Sequence, residues 1–521
     1  MPRQKLPIGI QTFREIREDN CYYVDKTRLI LQLVQEGKYY FLSRPRRFGK
    51  SLLIDTIAEL FAGSRALFEG LYCSDQWDWS RQFTVIRISF TEGVLGGAAG
   101  LDQRLREILA SEQRRLGIVC INQSLAGILS ELIASAHAQS GQRVVVLIDE
   151  YDKPILDYIT QSDQARAIRD VLRNVYGVLK GCDAHIKFAM LTGVSKFSKV
   201  SLFSGLNNLN DITIDTRYSS ICGYTDADVD RVFAPELAGL DRDEIKRWYN
   251  GYNWTGDAVY NPFDLLLLFQ KRAFGPYWFE TGTPGFLIDV LLRRPVFTPK
   301  LGSIVRSESL LSTFDVDQIS PDALMFQTGY LTIASVWRIP GRQEFTLKYP
   351  NLEVQTSLNN SLLQALSGND NLPESMIGGL YRLLLANDFS GMQSLFTAFF
   401  ASIPHQWFTN NPIAHYEGYY ASVFYSYFAA LGLDITAEDS SNAGRLDMAV
   451  RFNGHVYLFE FKVVELDQDG RALAQIKSQG YANKYLAGTD PIHLIGVEFS
   501  TVKRSVVGFE VETLSRGTML L

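Results

Sequence analysis

Arg44-Pro45-Arg46-Arg47-Phe48-Gly49-Lys50-Ser51 is the stretch whose reading decides the fold of the N-terminal half. It follows a short apolar and aromatic run, Lys38-Tyr39-Tyr40-Phe41-Leu42-Ser43. It precedes Leu52, Ile54, Ile57, Leu60 and Phe61, which recur at helical spacing. A strand, a loop ending Gly-Lys-Ser, and a helix form the arrangement of a phosphate-binding loop. Backbone N–H groups at the helix N-terminus point at phosphate oxygens, the lysine adds a point charge, and the serine hydroxyl holds Mg²⁺. Gly49, Lys50 and Ser51 supply that end of the motif. Arg44 stands where the motif has its first glycine and cannot relieve backbone crowding as glycine does. Arg44, Arg46 and Arg47 are expected to set positive charge around the phosphates, and Phe48 is read as part of the same nucleotide-binding loop.

Outward from the loop, Val144-Val145-Val146-Leu147-Ile148 reads as a strand buried on both faces, and it ends in Asp149-Glu150. Asp149 is expected to orient Mg²⁺ and Glu150 to polarise the attacking water. An acidic loop after a core strand is the plain alternative, and the order of the two motifs weighs against it. A further strand, Ile186 to Thr192, leads into Gly193-Val194-Ser195. Ser195 or Thr192 is placed to sense a γ-phosphate from between the other two strands; a turn that only exits the sheet is the competing reading. Val85 to Phe90 is another strand, and 100–140 reads as helices. The alternation predicts a parallel α/β sheet with crossover helices.

At the other end, Gly444-Arg445-Leu446-Asp447 opens a strand running to Phe452, Asn453-Gly454 is a strong hairpin signal, and the partner strand ends in Glu460-Phe461-Lys462. Residues two apart on a strand share a face, so Glu460 and Lys462 point one way and Phe461 the other. Metal-assisted phosphodiester cleavage needs carboxylates to fix divalent cations and a positive group near the attacking water. Asp447 and Glu460 are the expected cation ligands, and Lys462 the positive group. Glu417 lies on the preceding helix (417–431) and Gln475 on the following one (472–486). A half-exposed polar strand face is the alternative, and Asp447 on the partner strand argues against it. Strands at 492–499 and 506–511 complete the segment.

The 521 residues exceed one core, so two to four domains are expected. A net charge of −6 argues against a protein that coats nucleic acid non-specifically, because such binding rests on phosphate neutralisation. No apolar run approaches a membrane span, and the N-terminus has no apolar signal core. Cys21, Cys73, Cys120, Cys182 and Cys222 are far apart and read as reduced thiols of a cytoplasmic protein. The middle of the chain is read as helical, broken at Asn250-Gly251-Tyr252-Asn253 and at Pro262. A strand pair (329–333 and 344–349) is read as the wing of a winged-helix unit. Arg217, Arg293 and Arg294 are weighed as arginines reaching a γ-phosphate, with salt bridges the stronger reading. Trp248, Tyr249, Tyr252 and Trp254 are weighed as base-stacking residues, with a packing cluster the stronger reading.

These residues carry a resemblance. The chain resembles the bacterial and archaeal AAA-ATPase-like proteins that carry a C-terminal PD-(D/E)XK nuclease-superfamily domain. The matching stretches are Tyr23-Val24-Asp25-Lys26-Thr27, Arg44 through Ser51, Leu147 through Asp152, Leu191 through Phe197, Phe203 through Leu209 and Trp248 through Tyr252. Gln327 through Leu331, Tyr349 through Val354 and Glu417 through Tyr481 extend it. The family's own loop reads RPRRFGKS, so the departure at Arg44 is shared. The resemblance implies ATP at Gly49, Lys50 and Ser51, with Asp149 and Glu150 as its acidic partners. It implies nuclease-type residues at Asp447, Glu460 and Lys462, Glu417 as an auxiliary metal-site carboxylate, and Gln475 as the polar residue on the helix after the core. Asp25 and Lys26 are read as lining the nucleotide site, with surface packing as the alternative.

The expected fold class is α/β. A P-loop, AAA-like parallel-sheet domain spans 1–215, a helical, lid or winged-helix-like middle spans 216–405, and an α/β restriction-endonuclease-like domain spans 406–521. The expected activity is ATP binding and hydrolysis coupled to a Mg²⁺-dependent nuclease acting on DNA. An RNA substrate, or an ATP-switched regulator whose nuclease-like domain only contacts nucleic acid or protein, are the alternatives. A homo-oligomeric ring is compatible with this ATPase class, but nothing in the residues demands it.

Overall fold

Val144-Val145-Val146-Leu147-Ile148 has no polar face to give to water, and the strand it forms is buried along its whole length. A computed structural model of the chain describes residues 3–91, 96–196, 202, 208–282, 287–288, 291, 301–308, 320–367, 373–403, 417–441 and 444–514. Phe197, the family stretch at 203–207, Arg293 and Arg294 lie outside them. The N-terminal sheet has five strands: β1 (Tyr39–Ser43), β2 (Val85–Ser89), β3 (Val144–Asp149), β4 (Ile186–Gly193) and β5 (Asn210–Asp211). Every pairing is parallel, in the order β2-β3-β4-β1-β5. Because β4 lies between β1 and β3, the loops after Ser43, Asp149 and Gly193 leave one edge of the sheet side by side. That edge is where open parallel sheets bind ligands. Helix Ser162–Gly181 buries Ala165, Ile168, Leu172, Val175, Tyr176 and Leu179, an apolar stripe at three- and four-residue spacing.

The chain divides into two compact units, 1–283 with 304–351, and 284–303 with 352–521. The expected boundaries after 215 and after 405 do not coincide with this division, and the middle region is shared between the units. Burial accounts for the difference. Val229, Phe233, Ile245, Tyr249, Tyr260, Leu265 and Leu268 share a core with Tyr22 and Val24. Leu363, Leu380, Leu384, Phe396 and Phe400 share one with the C-terminal strands. The expected strand pair is present as β7 (Thr332–Ile339) and β8 (Arg342–Lys348), and it gains a short strand, β6 (Ile304–Ser307), in the antiparallel order β6-β8-β7. Tyr249, Tyr252 and Trp254 are buried, as a packing cluster requires.

The second unit is built on a mixed sheet of β9 (Asp434–Ser441), β10 (Gly444–Phe452), β11 (His455–Val464), β12 (Ile492–Ser500) and β13 (Ser505–Leu514). Their order is β13-β12-β11-β10-β9, and β11 and β12 are the one parallel pair. β9 was not legible, because Ala437-Glu438-Asp439-Ser440-Ser441 reads as a polar loop. Tyr457, Phe459 and Phe461 enter an aromatic core with Phe396, Phe400, Phe424 and Phe428. Val456 and Leu458 face the other way, toward Ile476, Tyr481 and Tyr485. The crossover between β11 and β12 does not hold one continuous 472–486 helix. It is a helix, Arg471–Ser478, followed by a separate turn of helix at Tyr481–Tyr485. Among the described residues no helix is long and apolar enough to cross a membrane.

His493 on β12 is 4% exposed. It hydrogen-bonds Thr513 Oγ1 at 2.8 Å and His455 Nδ1 at 2.9 Å. Burial, and then the neighbouring His455, pull its pKa down to about 4. Between the unfolded value near ~6.5 and this folded value, the unfolded chain takes up a proton that the folded chain refuses, so stability falls as the pH falls through that window. Urea unfolding of the wild type should lose on the order of 3 kcal/mol more than His493→Gln between about pH 7 and pH 4. Parallel pH profiles for the two proteins would contradict the assignment.

Candidate phosphate and metal sites

Gly49, at φ 89°, turns the chain into helix Lys50–Ala62, and Arg47 two residues earlier is left-handed at φ 66°. The loop borders a cavity of about 540 Å³. Arg46, Arg47, Phe48, Gly49, Lys50 and Ser51 line it, and Glu150 and Asp152 reach it from the end of β3. Tyr22, Val24, Ile221, Tyr224 and Phe263 add apolar surface to the lining. A cavity that offers both cations and apolar side chains provides what a nucleotide needs, because its phosphates call for cations and its base for apolar cover. Lys50 is buried, and its Nζ donates to the carbonyls of Arg44 (2.9 Å) and Pro45 (2.8 Å). Burial lowers its pKa, while the charges of Asp149 and Glu150 oppose that shift.

The acids after β3 have separate tasks. Asp149 Oδ1 accepts from Thr192 Oγ1 at 2.6 Å and from the Glu150 N–H at 3.1 Å. Glu150 is held at φ 54°, a left-handed conformation that is uncommon for a glutamate. Burial raises its carboxyl pKa, and the charge of Lys50 pulls the other way. Asp152, to which the sequence reading gave no role, fixes the edge of the sheet. Its carboxylate is 1% exposed and accepts from the Val194 N–H (3.0 Å), the Ser195 N–H (2.6 Å) and the Ser195 hydroxyl (2.6 Å). Burial raises its pKa, and these donors work against the rise. Gly193 makes the approach feasible, because a Cβ there would sit 2.4 Å from Asp152 Oδ1. The signal available in the sequence was a third acid three residues beyond Asp149.

Several expected positions are corrected. Ser195 is fully buried with its hydroxyl committed to Asp152, and it does not line the cavity. Thr192 sits between the loops as expected, but it donates to Asp149. The Arg44 side chain is 0% exposed and does not line the cavity, so it cannot touch a ligand held there, whereas Arg46 and Arg47 do line it. Phe48 buries its ring against Tyr252 and Trp254. Asp25 does not line the cavity: it accepts from the Thr27 N–H and hydroxyl at the start of helix Thr27–Glu36, and from the Tyr72 N–H. Lys26 does line it, and pairs with Asp228 at 2.7 Å. Arg217 is an exposed salt-bridge residue, paired with Asp215 and Glu36.

In the second unit, β10 and β11 are in register from Phe452↔His455 to Met448↔Phe459. Just past that ladder, Asp447 Oδ2 accepts the Phe461 N–H at 2.8 Å. Glu460 is 1% exposed. Its Oε1 accepts from Lys462 Nζ at 3.0 Å and, in a short hydrogen bond, from Gln475 Nε2. Its Oε2 is buried and, among the described residues, has no hydrogen-bond partner. Burial, and then the charge of Asp447, push the Glu460 pKa up to about 7. Burial also raises Asp447, against the Phe461 N–H and the charge of Lys462. The structure therefore brings Asp447, Glu460, Lys462 and Gln475 together and sends Phe461 into the core, as the strand alternation requires. Glu417 opens helix Glu417–Ala430, and its side chain lies outside the described residues.

Helix Arg471–Ser478 carries Gln475 to Glu460, and two unforeseen residues on β12 seat it. Glu498, 2% exposed, accepts from the N–H groups of Asp469, Gly470 and Ala472 at the start of the helix. Gly496, which pairs with Glu460 across the sheet, leaves room for the helix backbone. The donor set suits a hard divalent cation, because it offers carboxylate oxygens and one of them is buried and unpartnered. Asp447 and Glu460 would hold such an ion. Among the described residues no cluster of three or more His, Cys, Asp and Glu side chains is arranged to complete the shell.

Comparison with known proteins adds the following. Residues 7–203 match the family described as "Predicted AAA-ATPase", and residues 415–509 match the PD-(D/E)XK nuclease superfamily. An "Uncharacterized protein in vnfD 5'region" of Azotobacter chroococcum mcd 1 is 64% identical over 515 residues, covering 99% of this chain and 100% of that protein.

A Cβ at Gly496 would lie 2.4 Å from the Leu473 nitrogen and 2.9 Å from its Cα, and backbone cannot swing aside as a side-chain tip does. Gly496→Ala should therefore destabilise the second unit by about 1–3 kcal/mol in urea unfolding and speed hydrogen exchange across 471–478. Wild-type stability and exchange would show that the helix seat is not as tight as described.

Proposed function

The chain belongs to the predicted AAA-ATPases that carry a C-terminal PD-(D/E)XK nuclease superfamily domain, and from that premise we propose that it is a cytoplasmic ATP-binding and ATP-hydrolysing protein with a Mg²⁺-dependent nuclease centre acting on DNA. The observation that carries the nuclease part is the Glu460 carboxylate. It is buried, held on Oε1 by Lys462 and Gln475, and unpartnered on Oε2 beside Asp447. A buried carboxylate oxygen without a donor is costly, and a cation removes that cost. In this reading Asp447 and Glu460 Oε2 would hold Mg²⁺, whose chemistry when bound would be to polarise the phosphodiester and the attacking water. Gln475 fixes the rotamer of Glu460. Lys462 keeps positive charge at the centre, where a phosphate anion must approach.

At the other site, Lys50 would exchange its loop carbonyls for phosphate oxygens and Ser51 would hold the nucleotide's Mg²⁺, with Asp149, which does not itself line the cavity, orienting that ion through water. Glu150 faces the cavity with its carboxyl biased toward taking up a proton, which suits a group that orients an attacking water. The five free thiols agree with a reducing compartment.

Asp447→Ala should abolish Mg²⁺- or Mn²⁺-dependent cleavage of plasmid and oligonucleotide DNA while leaving ATP affinity within about twofold of wild type. Lys50→Ala should give the converse at the nucleotide site, with ATP binding lost. RNA cleaved in preference to DNA would correct the substrate. A wild type and an Asp447→Ala variant that are both inert, with ATP binding intact, would replace the nuclease by an ATP-switched binding protein.

A further inference from the structure

Arg44 is a fully buried cation for which the nucleotide reading has so far found no use. Its guanidinium donates to the carbonyls of Ser43 (2.8 Å), Thr213 (2.9 Å), Tyr218 (3.2 Å) and Ser219 (3.4 Å). It lies 4.0 Å from the centre of the Trp254 ring, and among the described residues its Nε has no hydrogen-bond partner. Among the described residues no carboxylate is bonded to it. Asp211, the acid whose charge acts on it, is itself paired with Lys196. Carbonyl dipoles and an aromatic face offset part of the desolvation of a guanidinium, but they do not supply an opposite charge. Burial accordingly pulls its pKa down to about 10.

The missing charge has an obvious source. Arg44, Lys50 and Lys26 all act on the thiol of Cys222, which lines the nucleotide cavity. Lys26 has Asp228 as a partner, and Lys50 feels Asp149 and Glu150. The backbone carbonyl of Arg44 also accepts from Lys50 Nζ, so the loop joins the two cations directly. We propose that the polyphosphate of the bound nucleotide is the counter-ion of Arg44, and that Arg44 is a positioning residue tying occupancy of the phosphate loop to the order of segment 213–219. The proposal rests on the nucleotide-binding reading above. Arg44 does not touch the ligand; it acts through the field of a buried charge and through the carbonyls it holds. This gives a reason for arginine at a loop position where glycine is usual: the side chain leaves the loop and anchors it from behind.

The effect of a buried charge scales with the charge of the ligand, whereas the effect of a lost structural strut does not. Affinities of the full chain for AMP, ADP and ATP, measured by titration calorimetry, separate the two. Arg44→Met should weaken ATP and ADP by about tenfold or more and AMP by less than about threefold, while Arg44→Lys keeps ATP within about threefold of wild type. Arg44→Gln, which retains an amide donor for the carbonyls without the charge, replaces Arg44→Met if that variant does not fold. Hydrogen exchange gives a second readout: ATP should protect 213–219 in the wild type and not in the uncharged variant. Equal losses for AMP, ADP and ATP, or undiminished protection, would overturn the proposal and leave Arg44 a strut. A wild type that binds no nucleotide would overturn the nucleotide reading itself, and this inference with it.

Discussion

Charge removed from water must be met by opposite charge or by aligned dipoles, and both candidate sites are organised by that constraint. Asp152 is met in full, by two backbone N–H groups and a hydroxyl from the end of β4. Glu498 is met in full, by three N–H groups at the start of helix Arg471–Ser478. These two acids are architectural. Asp152 locks the exits of β3 and β4 together, and Glu498 fixes the helix that delivers Gln475. Lys50, Arg44 and Glu460 are met only in part. Lys50 and Arg44 have carbonyls in place of anions, and Glu460 has donors on one oxygen only. The partly met charges are the ones that the proposed nucleotide and cation would complete.

The two sites differ in how the fold brings their residues together. At the phosphate site a parallel sheet does it, because the order β3-β4-β1 sets three loop exits side by side. Asp149 and Asp152 then need only short turns to meet Thr192, Val194 and Ser195 from β4. At the candidate metal site a hairpin and a crossover do it. The hairpin at Asn453-Gly454 sets the register of β10 against β11, and the crossover helix closes over Glu460 because Gly496 has no side chain. In both places a glycine on a buried strand, Gly193 or Gly496, allows a charged group or a helix to come closer than a Cβ would permit.

Local pattern carried the sequence reading as far as local pattern decides the structure. The β-branched run at 144–148, the Gly-Lys-Ser helix start and the Asn-Gly hairpin each depend on neighbours in sequence, and each element is where the pattern puts it. The facing of Glu460 and Lys462 away from Phe461 followed from strand alternation alone. The side chains of Arg44 and Ser195 were not legible, because partners distant in sequence or newly buried direct them. Arg44 is turned by Thr213, Tyr218, Ser219 and Trp254, more than 160 residues on. Ser195 is drawn inward by Asp152. β6 is too short and β9 too polar to announce themselves. The division of the middle region between two units follows from which helices share a core, a property that periodicity does not encode.

The most direct test of the account is the location of a divalent cation. Crystals of the full chain grown with Mn²⁺ should show anomalous density within bonding distance of an Asp447 carboxylate oxygen and of Glu460 Oε2, with Gln475 still on Oε1. Density elsewhere, or a Glu460 that keeps its oxygen unpartnered at saturating Mn²⁺, would contradict the metal centre on which the proposed nuclease depends.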